Sequence, residues 1–196
     1  MVRREDILRE PGRTLLLHGW GGSDYPHWQA WLAAELAKDY GTVSFPLIQH
    51  PHFPHLNRWK KEVKEFLSGF GPDTVVCHSL ANTLWFHLCN EGEIEPVKRL
   101  VLVAPPRLDC EIETIKSFFP VDPPKELFAE RAILVVSTDD PYMPIEKAWE
   151  LQERLGIPMK VIESAGHINE ESGYGEWPWI LEYLRKGEIC SVEDRS

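Results

Sequence analysis

The feature that most restricts the fold is a series of short apolar runs, set at intervals and separated by segments of helical period. The runs are Thr14 to His18, Thr42 to Phe45, Thr74 to Val76, Arg99 to Ala104, Ala132 to Val136 and Lys160 to Ile162. Runs this short, and apolar without alternation, fit strands buried on both faces, as in a parallel sheet. The intervening segments supply the crossovers. Trp28, Trp31, Leu32 and Leu36 fall at helical spacing, with Asp24 as a cap and Pro26 in the first turn. Asn57 opens a second helix bearing Trp59, Val63, Phe66, Leu67 and Phe70, closed by Gly71-Pro72. Further helical series run through Leu80, Leu84 and Leu88, through Ala148, Leu151 and Leu155 up to Gly156, and through Trp177, Ile180, Leu181 and Leu184. Strands alternating with helices predict an α/β three-layer sandwich: a mainly parallel sheet of about six strands with helices on both faces. With 196 residues and 43% hydrophobic composition, residues 1–196 are expected to form a single domain. Residues 1–12 read as a charged, solvated lead-in. Residues 105–131, which mix prolines with Phe118, Phe119 and Phe128, read as an irregular excursion over the rim of the sheet that exposes aromatic side chains and sets substrate selectivity.

In an open parallel sheet, ligands bind where the loops leave the carboxyl ends of the strands. The stretch Thr74-Val-Val-Cys-His-Ser-Leu-Ala-Asn82 passes there from a strand directly into a helix, with Ser79 at the corner. So sharp a turn pushes a serine hydroxyl outward, beside the free N–H groups that begin the helix. Glycine is usual two residues before and after such a serine; Cys77 and Ala81 hold those places, and both are small enough for the turn to form. The first strand ends in His18-Gly-Trp-Gly-Gly22, a loop whose glycines let the backbone turn back and present N–H groups. Asp139 and Asp140 follow the fifth strand, and His167 follows the last in the loop Ser164-Ala-Gly-His-Ile-Asn169. Taken singly, a serine at a helix start is a cap, Asp-Asp-Pro a turn and a histidine in a glycine loop a surface residue. Together they give the chain order Ser, Asp, His, each at a strand end, which is the order of α/β-hydrolases.

The set His18-Gly-Trp-Gly-Gly22, His78-Ser79-Leu80, Thr138-Asp-Asp-Pro141 and Ala165-Gly-His-Ile-Asn169, continuing through Ser172-Gly173 to Trp177-Pro178, resembles the small serine hydrolases related to retinoblastoma-binding protein nine and bacterial YdeN. The resemblance spans roughly residues 13 to 185. It implies an α/β-hydrolase fold without a large lid domain, and a triad of Ser79, Asp140 and His167, Asp140 being the aspartate directly before proline. In such a triad His167 takes the Ser79 proton during attack on an acyl carbonyl and Asp140 orients the imidazole, while backbone N–H groups of Trp20 and Leu80 hold the oxyanion. The substrate pocket is assigned to His18, Gly19, His78, Phe118, Phe119, Tyr142 and Met143. Asp139 is read as a turn residue rather than a second acceptor behind the histidine.

The expected activity is hydrolysis of small carboxylic esters, with thioesters or amides as further acyl substrates. The competing reading is a catalytically weak hydrolase fold that binds a protein or a ligand, motivated by Cys77 and Ala81. Nucleotide binding is disfavoured, since neither G-x-x-x-x-G-K-[ST] nor G-x-G-x-x-G occurs. With 31 acidic against 21 basic side chains, a net charge of -10 repels nucleic acids and anionic membranes. No apolar run approaches the roughly 20 residues of a membrane-crossing helix. Cysteines at 77, 89, 110 and 190 lack C-x-x-C spacing and the first residues lack a signal-peptide core, so a cytoplasmic location is expected. His50, His52 and His55 share a loop without the fixed spacing and carboxylate support of a metal site; they are read as a polar pocket rim, and no metal or other cofactor is expected. Cys77, two residues before the corner, is read as a buried small hydrophobe rather than a nucleophile.

Overall fold

The structure, a computed structural model, describes residues 12–38 and 42–186; most of the lead-in and Cys190 lie outside the described residues. Six strands form one sheet in the order β2-β1-β3-β4-β5-β6, and every neighbouring pair is parallel. They are β1 (Thr14–Leu17), β2 (Val43–Ser44), β3 (Thr74–His78), β4 (Val97–Val103), β5 (Ala129–Ser137) and β6 (Met159–Ile162), joined through helices α1 (Trp28–Lys38), α2 (Leu56–Phe70), α3 (Leu80–Glu91) and α4 (Ile145–Leu155), with α5 (Pro178–Lys186) after β6. The predicted α/β sandwich, parallel with helices on both faces, is what the chain adopts. Among the described residues, no helix is long and apolar enough to cross a membrane.

The side-chain alternation of the strands divides the core in two. Leu15, Leu17, Val75, Cys77, Leu100, Leu102, Leu134 and Val136 face one layer and pack with residues of α2, α3 and α4. Leu16, Val76, Val101, Val103, Ile133 and Val135 face the other and pack with α1 and α5. Because both faces are covered, neither set needs polar partners, which is why the strands read as continuous apolar runs. Burying a Leu or Val side chain contributes about 1.5–3 kcal/mol, so the sheet that carries the rim loops is held rigidly.

Three local expectations change. α1 begins at Trp28, after a cis Tyr25-Pro26 bond, so Pro26 lies outside the helix. The Asp24 carbonyl, rather than a side-chain cap, accepts the His27 N–H at 2.9 Å. Asn57 sits inside the first turn of α2, whose N-cap is His55. The excursion contains a short 3-10 helix, Glu113–Phe118, but Phe118 is fully buried with its ring 5.5 Å from that of Trp59, and Phe119 packs on the same core layer. Their rings complete the core beside α2 rather than line the rim. The αL residues Gly71 and Gly156 end α2 and α4 where expected.

Candidate active site

The strand order reverses between β1 and β3, so the loops leaving these neighbouring strands open beside one another. β1 delivers Gly19 against the turn that follows β3. A Cβ added at Gly19 would lie 2.7 Å from Ser79 Cβ and 3.2 Å from both Ser79 Oγ and the His78 carbonyl oxygen. Glycine there is a matter of space, whereas at Gly21 and Gly22, with φ of 87° and 94°, it is a matter of backbone conformation.

Ser79 itself adopts φ 52° and ψ −122°, a region that costs a non-glycine residue about 1–3 kcal/mol and persists only where the surroundings impose it. The surroundings are visible. The Ser79 N–H donates to the Val103 carbonyl at 3.0 Å. Asn82 Nδ2 donates to both the Ser79 and the Val103 carbonyl, at 2.8 Å each. Cys77 and Ala81 are fully buried in the apolar layer that contains α3, and the turn forms around them. Burial pushes the Cys77 thiol well above its ordinary value, so it stays a protonated, inert side chain.

Three side chains form one hydrogen-bonded chain at the rim. His167 Nε2 lies 2.8 Å from Ser79 Oγ. His167 Nδ1 lies 2.9 Å from Asp140 Oδ2 and 3.0 Å from Oδ1. A carboxylate only accepts, so Nδ1 carries the proton and the Nε2 lone pair faces the serine hydroxyl. Asp140 and His167 are buried, and Asp140 Oδ1 also accepts the Tyr142 N–H at 2.8 Å. The His167 loop is anchored on several sides. Ser172 Oγ accepts the His167 N–H at 3.1 Å, Trp28 Nε1 donates to the Ile168 carbonyl at 2.8 Å, and His78 Nε2 donates to the His167 carbonyl at 3.2 Å. Ile168, fully buried, has φ 49°, an outlier for a β-branched residue that these contacts sustain.

Asp139 does more than shape a turn. Its Oδ1 accepts the Gly166 N–H at 2.7 Å and the Ser137 hydroxyl at 2.6 Å, so it ties the His167 loop to the end of β5. The Ser137 hydroxyl and the Gly166 N–H hold its carboxyl below the ordinary aspartate value. The acceptor role replaces the turn reading.

A cavity of about 530 Å³ opens over Ser79 and His167. Of the residues assigned to the pocket, His78 and Tyr142 line it, as do Trp20 and Leu80. His18, Gly19, Phe118, Phe119 and Met143 do not. His18 is a buried structural histidine whose Nδ1 donates to the Gly19 carbonyl at 2.7 Å and whose Nε2 accepts the Ile48 N–H at 2.8 Å. Gly19 stands behind the serine, and Met143 is 2% exposed within the core. Cavity residues that the sequence reading missed are Gly21 to Tyr25 and His27, Asn169 to Glu171, and Pro106, Cys110, Ile112 and Ile115. The first two groups begin within loops already singled out, at Gly21, Gly22 and Asn169, and continue directly after them, so chain proximity was the available signal; the third comes from the excursion, through other side chains than its phenylalanines. Of the loop histidines, His52 lines the cavity and its carbonyl accepts Trp20 Nε1–H at 3.1 Å, while His50 and His55 act in a turn and at the start of α2. Among the described residues, no group of three or more His, Cys, Asp or Glu side chains is placed to hold a metal ion.

His27, His78 and His167 form a run of ring contacts, edge-on and then tilted: His27 to His78 is 4.8 Å and His78 to His167 is 5.3 Å between centroids. Burial first, then the neighbouring histidines, pushes His27 down to about 4 and His78 well below its ordinary value. Both are neutral at neutral pH.

Comparison with known proteins fits this architecture. A family model described as serine hydrolase matches residues 14–186. YdeN of Bacillus subtilis (strain 168) is 22% identical over 179 residues, 88% of this chain and 94% of that one. The solved structure of the ydeN gene product superposes with a TM-score of 0.80 at 18% identity, covering 89% of this chain and 97% of that one. A YdeN-like protein from Pectobacterium atrosepticum gives 0.71 at 22% identity over 89% of each chain. The esterase domain of a Rhodothermus marinus protein gives 0.66 at 14% identity over 92% of this chain and 87% of that one. With an α/β-hydrolase fold and a family match across its described sheet, the chain belongs to the serine hydrolase family.

Proposed function

We propose that the chain hydrolyses small carboxylic esters, and by the same route thioesters or amides, through an acyl-enzyme on Ser79. The observation that carries this reading is the continuous contact from Asp140 through His167 to Ser79 Oγ, 2.9 and then 2.8 Å. His167 Nε2 takes the hydroxyl proton as Ser79 Oγ bonds to the acyl carbon, and Asp140 steadies the resulting imidazolium. The carbonyl becomes an oxyanion held by the N–H groups of Trp20 and Leu80, the latter in the first turn of α3 where N–H groups have no intrahelical partner. Collapse breaks the bond to the leaving group, which receives the proton from His167. Water then repeats the sequence: His167 takes its proton, its oxygen bonds to the acyl carbon, and Ser79 leaves reprotonated with a carboxylic acid as product. The strained backbone at Ser79 supports the assignment, because strain of this kind gathers where it serves a site. So does an esterase domain among the structural neighbours. The binding-module reading rested on Cys77 and Ala81, and with both accommodated in the core no particular observation favours it. Free Cys77, Cys89 and Cys110 suit a reducing, cytoplasmic setting.

The test is fluorophosphonate labelling together with turnover of p-nitrophenyl esters of increasing acyl length. Labelling at Ser79 that requires His167, and turnover that falls at least about 10⁴-fold in Ser79→Ala, is the expected result. Full turnover in Ser79→Ala would remove the assignment.

A further inference from the structure

The cavity wall has a chemical bias that an acyl-transfer mechanism does not need. Asp24, after the Trp20 loop, and Glu170 and Glu171, after His167, all line it. No Lys or Arg lines it among the described residues. Arg107, next in the chain to the wall residue Pro106, forms a two-pronged pair with Asp109, at 3.0 Å for each bond. Of the four histidines in the wall, His27 and His78 do not offset the carboxylates, since burial keeps them neutral. Three aromatic rings stand at the same mouth and remain in water: Trp20 is 39% exposed, Tyr25 85% and Tyr142 40%. Carboxylates interleaved with open aromatic faces are the ingredients of an organic-cation site. Two buried polar atoms on wall residues lack any partner among the described residues: Ser23 Oγ and His27 Nε2, each on a residue only 4% exposed. His27 Nδ1 accepts the Gln29 N–H at 3.1 Å, so Nε2 carries a proton and is a donor.

We propose that this cavity selects esters bearing an organic cation, a quaternary or protonated amine in either half of the molecule, over neutral esters of the same shape. The proposal rests on the esterase reading of Ser79. Opposite charge attracts such a substrate to the mouth, the rings contact its methyl or methylene groups, and an anionic ester is repelled. Exposed charge pairs are weak one by one, at up to about fivefold each, so three carboxylates acting together give a preference of about tenfold at low ionic strength that shrinks with added salt.

Two isosteric pairs test it. In one, acetylcholine is compared with the acetate ester in which tert-butyl replaces trimethylammonium. In the other, the p-nitrophenyl ester of γ-trimethylammoniobutyrate is compared with its tert-butyl counterpart. The expected result is a kcat/KM ratio of about ten in favour of the cation in at least one pair, falling toward unity in about 0.5 M salt and in the variant Asp24→Asn, Glu170→Gln, Glu171→Gln. The three single substitutions, all at exposed positions, replace the triple variant if it does not fold. A ratio near one in both pairs, with the neutral esters turned over and Ser79 labelled, overturns the cation proposal and leaves the esterase reading intact. A preference that survives both salt and substitution overturns the role of the carboxylates. Failure of every ester and of labelling overturns the esterase reading itself.

Discussion

Gly19→Ala is the smallest change that tests how the β1 loop is seated on Ser79, the proposed nucleophile. The added Cβ would stand 2.7 Å from Ser79 Cβ, and ordinary contact begins at 3.4 Å, so about 0.7 Å of separation must be found. Neither neighbour gives readily. Ser79 Cβ is fixed to a backbone held by the Val103 and Asn82 bonds, and the next contact, at 3.2 Å, is the His78 carbonyl at the end of a central strand. The separation therefore moves either the Trp20 loop away from the oxyanion position or Ser79 away from His167. Misplacement approaching 1 Å costs on the order of 100-fold in rate, which corresponds to about 2.7 kcal/mol of barrier. Since Gly19 lies outside the left-handed φ region, the change acts through contact and not through backbone strain. The loss is expected in kcat for p-nitrophenyl esters, with a second-order rate of fluorophosphonate labelling reduced alongside and the folded state retained by circular dichroism. Wild-type kcat and labelling in a folded Gly19→Ala protein would refute this seating of the loop.

Other substitutions separate the roles of the remaining groups. Asp140→Asn replaces an acceptor-only carboxylate with an amide whose Nδ2 donates toward His167 Nδ1 and imposes the wrong tautomer, and it is expected to lower kcat by about 10³–10⁴-fold with little change in melting temperature; an unchanged kcat would remove Asp140 from the proposed triad. Asp139→Ala frees the Gly166 N–H and is expected to lower kcat about tenfold by loosening the His167 loop, whereas Asp139→Asn, which keeps an acceptor oxygen, should restore most of it; equal losses in both would point to the charge instead. Acid should destabilise the fold through His27. Its folded value is about 4 against an ordinary 6.5, so the unfolded chain takes up the proton first and stability present above the ordinary value is lost as pH falls toward the folded one. A shift of that size amounts to about 3 kcal/mol, of which about 2 kcal/mol falls between about pH 7 and about pH 5. Urea unfolding at several pH values measures it, and His27→Asn should flatten the acid limb; an acid limb as steep in the variant would assign the effect to other groups.

The sheet was legible in the sequence because its strands are buried on both faces. Leu15 and Leu16 point into different core layers, yet both layers are apolar, so the run needs no polar punctuation. Helix ends were legible where conformation demands glycine, as at Gly71 and Gly156, and less so where a backbone carbonyl does what a side-chain cap was expected to do, as at Asp24. The pocket wall was the least legible part. Phe118 and Met143 are as apolar as any pocket residue, and periodicity cannot tell a ring that faces the cavity from one that completes the core against Trp59. Asp139 was misread for a related reason: a carboxylate before Asp-Pro fits a turn locally, and its partner Gly166 lies 27 residues away.

The same distance in sequence explains why the geometry of the site, as opposed to its membership, waits for the fold. Ser79, Asp140 and His167 could be named from the ends of their strands, but what fixes them comes from elsewhere. Asn82 spans from the Ser79 carbonyl to that of Val103, 21 residues on; His78 reaches the His167 carbonyl across 89 residues and Trp28 the Ile168 carbonyl across 140. These bonds gather around Ser79 and Ile168, two of the non-glycine residues with positive φ, whose angles of 52° and 49° no local preference would produce. A long-range cause for a local strain also explains the tolerance at Cys77 and Ala81. When the corner is held by Val103 and Asn82, glycine is not required to make it, and the usual glycines can be replaced by small side chains that join the core instead.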